Sequence, residues 1–261
     1  MGMPSNQYVP DLGDAIRIVP LSLTQDQRAP VPGIPAAPTA QMTYRGGPLL
    51  SSVDVFALYW GAGWQGAQAA LVQQMDQFFD FVVTSALIDQ LSEYSVSGQT
   101  IGHGRSSGST VVTTPAPASS ITDAGVRSFL QQQIAAGGAV PGPTPNRLYF
   151  VFLPPGVTVT LGGSSSCMAF CGYHDNINAQ IFYAVMPFPG CNGCLGGLQT
   201  LESLTTVSSH ELCEAITDAV PGQGWYDDNQ GEIGDVCPWQ TKKLGAYTVQ
   251  LEWSNQAGAC R

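Results

Sequence analysis

The sequence predicts an α/β (α+β) domain: a mixed β-sheet with one helix that carries metal-ligand spacing. Three observations predict it. Strand-length apolar runs recur at Val53–Trp60, Arg147–Leu153 and Gln180–Met186. Segments with helical apolar spacing alternate with them, one from Trp64 to Val83 and one opening at Ser120-Ile121-Thr122-Asp123. A third helical period, from Thr200 to about Asp218, contains His210-Glu211-Leu212-Cys213-Glu214.

In chain order, residues 1–44 read as an extended, proline-rich arm or linker. Pro30, Pro32, Pro35 and Pro38 deny the backbone N–H groups that a helix or a central strand needs. The remainder, 45–261, reads as one domain. Val53–Trp60 is a nearly continuous apolar, β-branched and aromatic run, as expected of a strand covered on both faces. From Trp64, the residues Ala67, Leu71, Met75, Phe78, Phe79 and Val82 keep helical spacing with Gln and Asp between them. Residues 104–120 are a Ser/Thr/Pro-rich connection with one short strand at Thr110–Thr114. The helix that opens at Ser120–Asp123 has an acid in its first turn, an apolar face of Val126, Phe129, Leu130 and Ile134, and a stop at Gly137-Gly138. Pro154-Pro155 and Pro187 end the two later strands.

Composition narrows the function. The chain has 261 residues, 44% of them hydrophobic and 11% charged, enough for one good core. A net charge of -10 repels a phosphate backbone, so nucleic acid is excluded as a partner. No stretch approaches the roughly 20 apolar residues of a membrane span. Few charges on a Gly-, Ser- and Thr-rich surface and seven cysteines, grouped as Cys167/Cys171, Cys191/Cys194 and Cys237/Cys260 with Cys213 left over, predict an extracellular or periplasmic protein. Met1-Gly2-Met3-Pro4 lacks the pattern of a signal peptide, so the expectation carries either a removed signal or another export route. A tetrahedral thiolate zinc site from Cys167, Cys171, Cys191 and Cys194 is the rival to disulfides. Cys213, among Leu212 and Ile216, reads as a small buried hydrophobe.

Chemistry concentrates after Thr200. Residues four apart on a helix lie about 40° apart around its axis, so His210 and Glu214 project together and can share a metal ion. Glu211 is turned aside and can reach a metal-activated water without ligating the ion. This is the logic of the H-E-x-x-H helix with Glu214 in place of the second His. An H-E-x-x-E run also arises by chance on exposed helix faces. Leu201, Leu204, Val207, Leu212 and Ile216, however, bury one side and set the polar trio on the other. Beyond the helix, Glu232 and Asp235 offer two more carboxylates, at about the separation where thermolysin-like enzymes place a third ligand.

At these residues the chain resembles a family. Ser209–Asp218, Gly224-Trp225-Tyr226 and Glu232–Cys237 look like the phosphate-induced/exordium-like proteins of plants and their bacterial zincin-type relatives. Tyr44–Leu50, the Val53–Trp60 strand, Ile101–Gly104 and Cys167–His174 extend the likeness over roughly residues 44–240. The resemblance implies a zincin-like metallopeptidase domain with zinc as cofactor. Glu232 stands five residues before Cys237, as the family's Glu does before its Cys, and is therefore the implied third ligand beside His210 and Glu214. Asp235 becomes a supporting residue or an alternative ligand. Cys213 and His103 depart from the plant pattern and inherit no role.

Three further residues carry two readings each. His174, placed in a loop after a Cys171-Gly172-Tyr173 turn, either bonds local backbone or stabilises an oxyanion or ligates, since in zincins the strand ahead of the metal helix often lines the cleft and pairs with substrate backbone. Tyr226 is half of a packing pair with Trp225 or a hydrogen-bond donor to an oxyanion. His103, between glycines, reads as a loop histidine. The expected protein is a monomeric zinc endopeptidase acting on protein or peptide substrates, with Glu211 as general base. The alternative is a non-catalytic cell-envelope binding or signalling protein on the same scaffold. Paired-acid glycoside hydrolysis by Glu211 and Glu214 is weaker, because a histidine beside two carboxylates on one helix is better explained by a metal.

Overall fold

The computed structural model describes residues 18–22 and 39–261. Six strands form the central sheet: β1 (Ile18–Pro20), β2 (Asp54–Trp60), β3 (Arg105–Val112), β4 (Arg147–Phe152), β5 (Phe170–Ile177) and β6 (Ile181–Met186). Their order is β1-β5-β6-β4-β2-β3. β6, β4, β2 and β3 run parallel, β5 runs antiparallel to β6, and β1 antiparallel to β5. The sheet is mixed, as the sequence predicts. β2 and β4 are buried at every residue, which is why their sequences read as unbroken apolar runs rather than alternating ones.

Helices cover both faces. α1 (Ala69–Val82), α2 (Ala86–Leu91) and α5 (Thr200–Thr217) lie on one side, α3 (Asp123–Ala136) lies on the other, and the single-turn α4 (Asn192–Leu195) leads into α5. Thr122 caps α3 by accepting a hydrogen bond from the Gly125 N–H at 3.2 Å. Val126, Phe129 and Leu130 then pack on β2 and β4, with Phe129 stacked 3.8 Å from Trp60 between ring centroids. At the start of the parallel strands, Arg147 and Arg105 both donate to Asp54 Oδ2, at 2.5 and 2.7 Å, so the buried carboxylate is compensated.

The structure departs from expectation in several elements. α1 starts at Ala69, because the chain from Ala62 to Gln65 makes a 3-10 turn ended by Gly66. β3 covers Arg105–Val112 rather than Thr110–Thr114; a polar edge strand shows no hydrophobic run. β5 occupies the stretch read as a turn and loop around His174, since Cys-Gly-Tyr-His-Asp-Asn lacks the branched residues that mark a strand. Within residues 1–44, Ile18–Pro20 is an edge strand and Thr43–Tyr44 pairs with Trp225–Tyr226. Pro30, Pro32, Pro35 and Pro38 lie outside the described residues. Finally, α5 is buried on every face from Ser203 to Thr217. The side opposite its apolar stripe is covered too, so its polar residues face a closed interior.

Cysteine pairing crosses two of the three sequence groups and keeps the third, Cys237 with Cys260. The disulfides join Cys167 to Cys191, Cys171 to Cys194 and Cys237 to Cys260, and Cys213 is free and buried. Cys171 lies in β5, whose extended backbone carries it away from Cys167. Cys191 and Cys194, one helical turn apart across α4, meet the two strand-side cysteines together. Disulfide sulfurs are not thiolate ligands, so this arrangement excludes the four-cysteine zinc site. Three disulfides are consistent with a protein that works in an oxidising compartment. Among the described residues no helix is long and apolar enough to cross a membrane.

Candidate functional site

The site is built where α5 crosses β5. Gly172 and His174, two residues apart on one strand, present to one face, and α5 approaches that face closely. A Cβ at Gly172 would stand 2.6 Å from Val207 Cγ1 and 3.0 Å from Glu211 Oε1, so only glycine admits the helix here. Gly172→Ala is therefore expected to destabilise the fold by about 1–3 kcal/mol, the usual range for overpacking, as read by urea unfolding.

Val207, Glu211 and Glu214 follow one another along one stripe of α5 toward β5, and His210 turns toward the loop at 231–235 and the strand ending at Gln250. His174 Nε2 lies 3.1 and 3.0 Å from the two Glu232 oxygens and 3.7 Å from Glu214 Oε2. His210 Nε2 lies 2.9 Å from Glu214 Oε1 and 4.0 Å from Asp235 Oδ1. Glu214 thus sits between two imidazoles, one oxygen toward each. The 231–235 loop follows the cluster with its backbone: Asp235 N–H donates to Glu214 Oε1 at 3.1 Å, and Glu232 N–H to Asp235 Oδ2 at 3.0 Å. A Cβ at Gly234 would meet His210 Nδ1 and Glu214 Oε1 within 2.8 Å, and Gly231 has φ +85°, so both glycines are conditions of this approach.

His174, His210, Glu211, Glu214 and Glu232 are fully buried, and Asp235 keeps only 6% of its side chain exposed. Burial shapes the charges. It pushes Glu211, Glu214, Glu232 and Asp235 well above the usual carboxylate range, and their mutual repulsion adds to this for Glu211, Glu232 and Asp235. Burial also lowers His210, against the opposing pull of Asp235. Both Glu211 oxygens, Glu214 Oε2 and His210 Nε2 are buried without a hydrogen-bond partner of good geometry. A set of acids this dense stays ionised only if a cation compensates it.

The donor set fits a divalent ion. Zinc bonds of about 2.0–2.1 Å place neighbouring donors of a tetrahedral shell roughly 3.3 Å apart. The 2.9, 3.0 and 3.7 Å separations among His210, Glu214, His174 and Glu232 bracket that spacing. Among the described residues, two sets here bring three ligand atoms within 4.8 Å of one another: His174 with Glu211 and Glu214, and His210 with Glu214 and Asp235. One member is conditional. Gln250 Nε2 donates to Gly234 O at 2.9 Å while its Oε1 accepts the Trp239 N–H at 3.1 Å, which aims the other amide N–H at His210 Nδ1, 2.7 Å away. Nδ1 is then the acceptor, and the ring proton sits on Nε2 facing Glu214. With the Gln250 amide turned, the ring proton would move to Nδ1 and leave Nε2 able to accept a cation.

The structure thus brings His210, Glu211, Glu214, Glu232 and Asp235 together, and joins His174 to them from β5. Tyr226 lies in the short Trp225–Tyr226 strand with the Arg45 guanidinium 4.4 Å over its ring. His103 stands apart, exposed and 2.8 Å from Asp89. Three neighbours were not among the predicted site residues. Asp218 accepts the N–H groups of Gly222 and Gln223 at 2.6 and 3.0 Å, is pushed up to about 6 by burial, and hydrogen-bonds Glu232. Glu252 is a buried acid whose carboxyl burial raises, with Glu214 adding to it. Gln250 orients His210. Asp218 reads as the end of a helix, and the other two fall in a stretch without motif spacing. Comparison with family models, curated proteins and solved structures returns no match for this chain.

Proposed function

We propose that this protein is a zinc-dependent endopeptidase with a zincin-like catalytic domain, of the kind the exordium-like resemblance implies. The observation that carries the reading is the convergence of two buried imidazoles and four buried carboxyls at the crossing of α5 and β5, with Glu211 left without a hydrogen-bond partner of good geometry. His174, Glu214 and Glu232 would hold the ion, with His210 joining and Asp235 supporting. When bound, zinc supplies Lewis-acid polarisation of a carbonyl and makes water acidic near neutral pH.

The chain's own residues then divide the work. Glu214 holds His210 through Oε1 at 2.9 Å and turns Oε2 toward His174, 3.7 Å away. Glu232, hydrogen-bonded by Asp218 and 3.0 Å from His174 Nε2, is fixed in place beside it. Glu211, whose two oxygens lack hydrogen-bond partners of good geometry, takes a proton from the attacking water and returns it to the leaving amine, as a general base and acid must. Tyr226, held by Arg45, is the proposed donor to the oxyanion. Secretion, a peptide substrate and a monomeric state belong to the same reading.

Casein hydrolysis that is abolished by a chelator and restored by stoichiometric zinc is the expected result. A metal-loaded protein that cleaves no casein or peptide library would move the reading to the second one, a non-catalytic envelope protein. One observation favours that alternative: every ligand candidate is closed off from solvent.

A further inference from the structure

The donors at the crossing of α5 and β5 fall into two sets. Three ligand atoms from His174, Glu211 and Glu214 lie within 4.8 Å of one another, and so do three from His210, Glu214 and Asp235. Each set has its own imidazole, and Glu214 is the one residue they share. Its oxygens divide in the same way, Oε1 at 2.9 Å from His210 Nε2 and Oε2 at 3.7 Å from His174 Nε2. A carboxylate that turns a different oxygen to each of two imidazoles has the geometry of a bridge between two ions, which in two-metal sites stand about 3.5–4 Å apart.

We propose that the cluster is a two-ion centre, in which a second divalent cation is held by His210, Glu214 and Asp235 beside the zinc ion held by His174, Glu214 and Glu232, with Glu214 bridging the pair. This deepens the peptidase reading and rests on it for the first ion. His210 and Asp235, which only join or support a one-ion shell, thereby gain an ion of their own, and Glu211 stays beside the first.

Two observations point to the second cation independently of the spacing. The first is His210 Nε2. The ring is fully buried, and Nε2 makes no hydrogen bond of good geometry although Glu214 Oε1 and Asp235 Oδ1 stand 2.9 and 4.0 Å away. The loop fixes those two oxygens from behind: Asp235 N–H donates to Glu214 Oε1 at 3.1 Å, and Glu232 N–H donates to Asp235 Oδ2 at 3.0 Å, which leaves Oδ1 toward the imidazole. The second observation is charge. Glu211, Glu214, Glu232 and Glu252 are fully buried and Asp235 nearly so, and both Glu252 oxygens, like both Glu211 oxygens, lack a hydrogen-bond partner of good geometry. Among the described residues no lysine or arginine forms an ion pair with any of the five; Lys242, whose charge reaches Glu252, bonds Gln90 at 3.4 Å instead. One divalent ion offsets two of these five negative charges, and a pair offsets four.

The second ion is the weaker of the two. Gln250 Nε2, 2.7 Å from His210 Nδ1, holds that nitrogen as the acceptor and keeps the ring proton on Nε2. The amide must turn before Nε2 can ligate, and Gly234 O then loses its 2.9 Å bond from the same nitrogen. Partners behind a ligating histidine change metal affinity by about 10–100-fold. A protein freed of loosely bound ions therefore keeps the first ion, and the second enters when zinc is added back.

The test titrates zinc into full-length protein that carries its tightly held equivalent, read by calorimetry and by equilibrium dialysis with elemental analysis. The wild type should take up a second equivalent saturably, about 10–100-fold more weakly than the first. Asp235→Asn should keep the first equivalent and lose the second; if it does not fold, His210→Asn carries the comparison. The wild type also supplies a readout that a structural role would not move. With cobalt(II) in place of zinc, the EPR intensity per cobalt should fall as the second equivalent binds, because a carboxylate bridge couples the two spins. The two-ion centre is overturned by a wild type that takes up no second equivalent, by a folded variant that takes it up unchanged or loses both equivalents together, or by cobalt signals that simply add. Casein hydrolysis is followed on the same samples. Two coupled ions without hydrolysis sustain the centre and remove the peptidase reading, whereas hydrolysis by a protein that binds only one ion does the reverse.

Discussion

Glu211→Gln is expected to leave metal content and fold unchanged while lowering turnover by roughly 10²- to 10⁴-fold, the range for lost acid–base catalysis. The side chains are nearly isosteric, so Val207 and Gly172 keep their packing against residue 211. What disappears is a carboxyl whose two oxygens lack hydrogen-bond partners of good geometry. Like charges on Glu214, Asp235 and Glu252 also raise it, so neutralising it relieves repulsion. Stability measured by thermal unfolding should therefore hold or rise slightly. Unchanged turnover would move the proton-accepting role to another group, and lost zinc would make Glu211 a ligand.

The second large effect is on stability once metal is removed. Glu211, Glu214, Glu232, Asp235 and Glu252 all have their pKa values raised in the folded state. A carboxyl with a raised folded pKa binds more protons folded than unfolded, so its contribution is complete below its unfolded pKa and shrinks as pH rises toward the folded value. His210 works the other way: its lowered pKa makes stability rise with pH until the unfolded value near 6.5 is passed. Above about pH 6.5 only the carboxyl effect remains, with at most about 1.4 kcal/mol per pH unit for each differential proton. The chelated protein should thus lose melting temperature between pH 6.5 and 8.5. Zinc should raise it more at pH 8.5 than at 6.5, because a cation stabilises the ionised acids. A chelated protein whose melting temperature is flat over that interval would show that the acids are not charged against one another.

The sheet interior was legible in the sequence because β2, β4 and β6 are covered on both faces and their burial is written as apolar runs. The H-E-x-x-E helix was legible because helical spacing alone brings His210 and Glu214 together. β5 was not. Its glycine exists to admit α5, and its histidine, aspartate and asparagine serve the interior or the turn to β6, so the residues that make the strand useful erase its strand signal. Crossed disulfides escaped for a similar reason: cysteines close in sequence suggest each other as partners, and only the strand direction of Cys171 forbids it. Gln250 and Glu252 reach the cluster through tertiary packing across tens of residues, which no local pattern encodes, whereas Asp218 reaches it from the end of α5 itself. Tertiary packing also closes the site.

Elemental analysis of the purified protein and of Glu214→Ala, both prepared with zinc present and freed of loosely bound ions, tests the central claim most directly. Glu214 is the residue whose two oxygens face both imidazoles. If the cluster is a metal centre, the wild type carries about one zinc per chain and the variant carries essentially none while remaining folded. A folded wild type without zinc, or a Glu214→Ala protein that keeps a full equivalent, would contradict it.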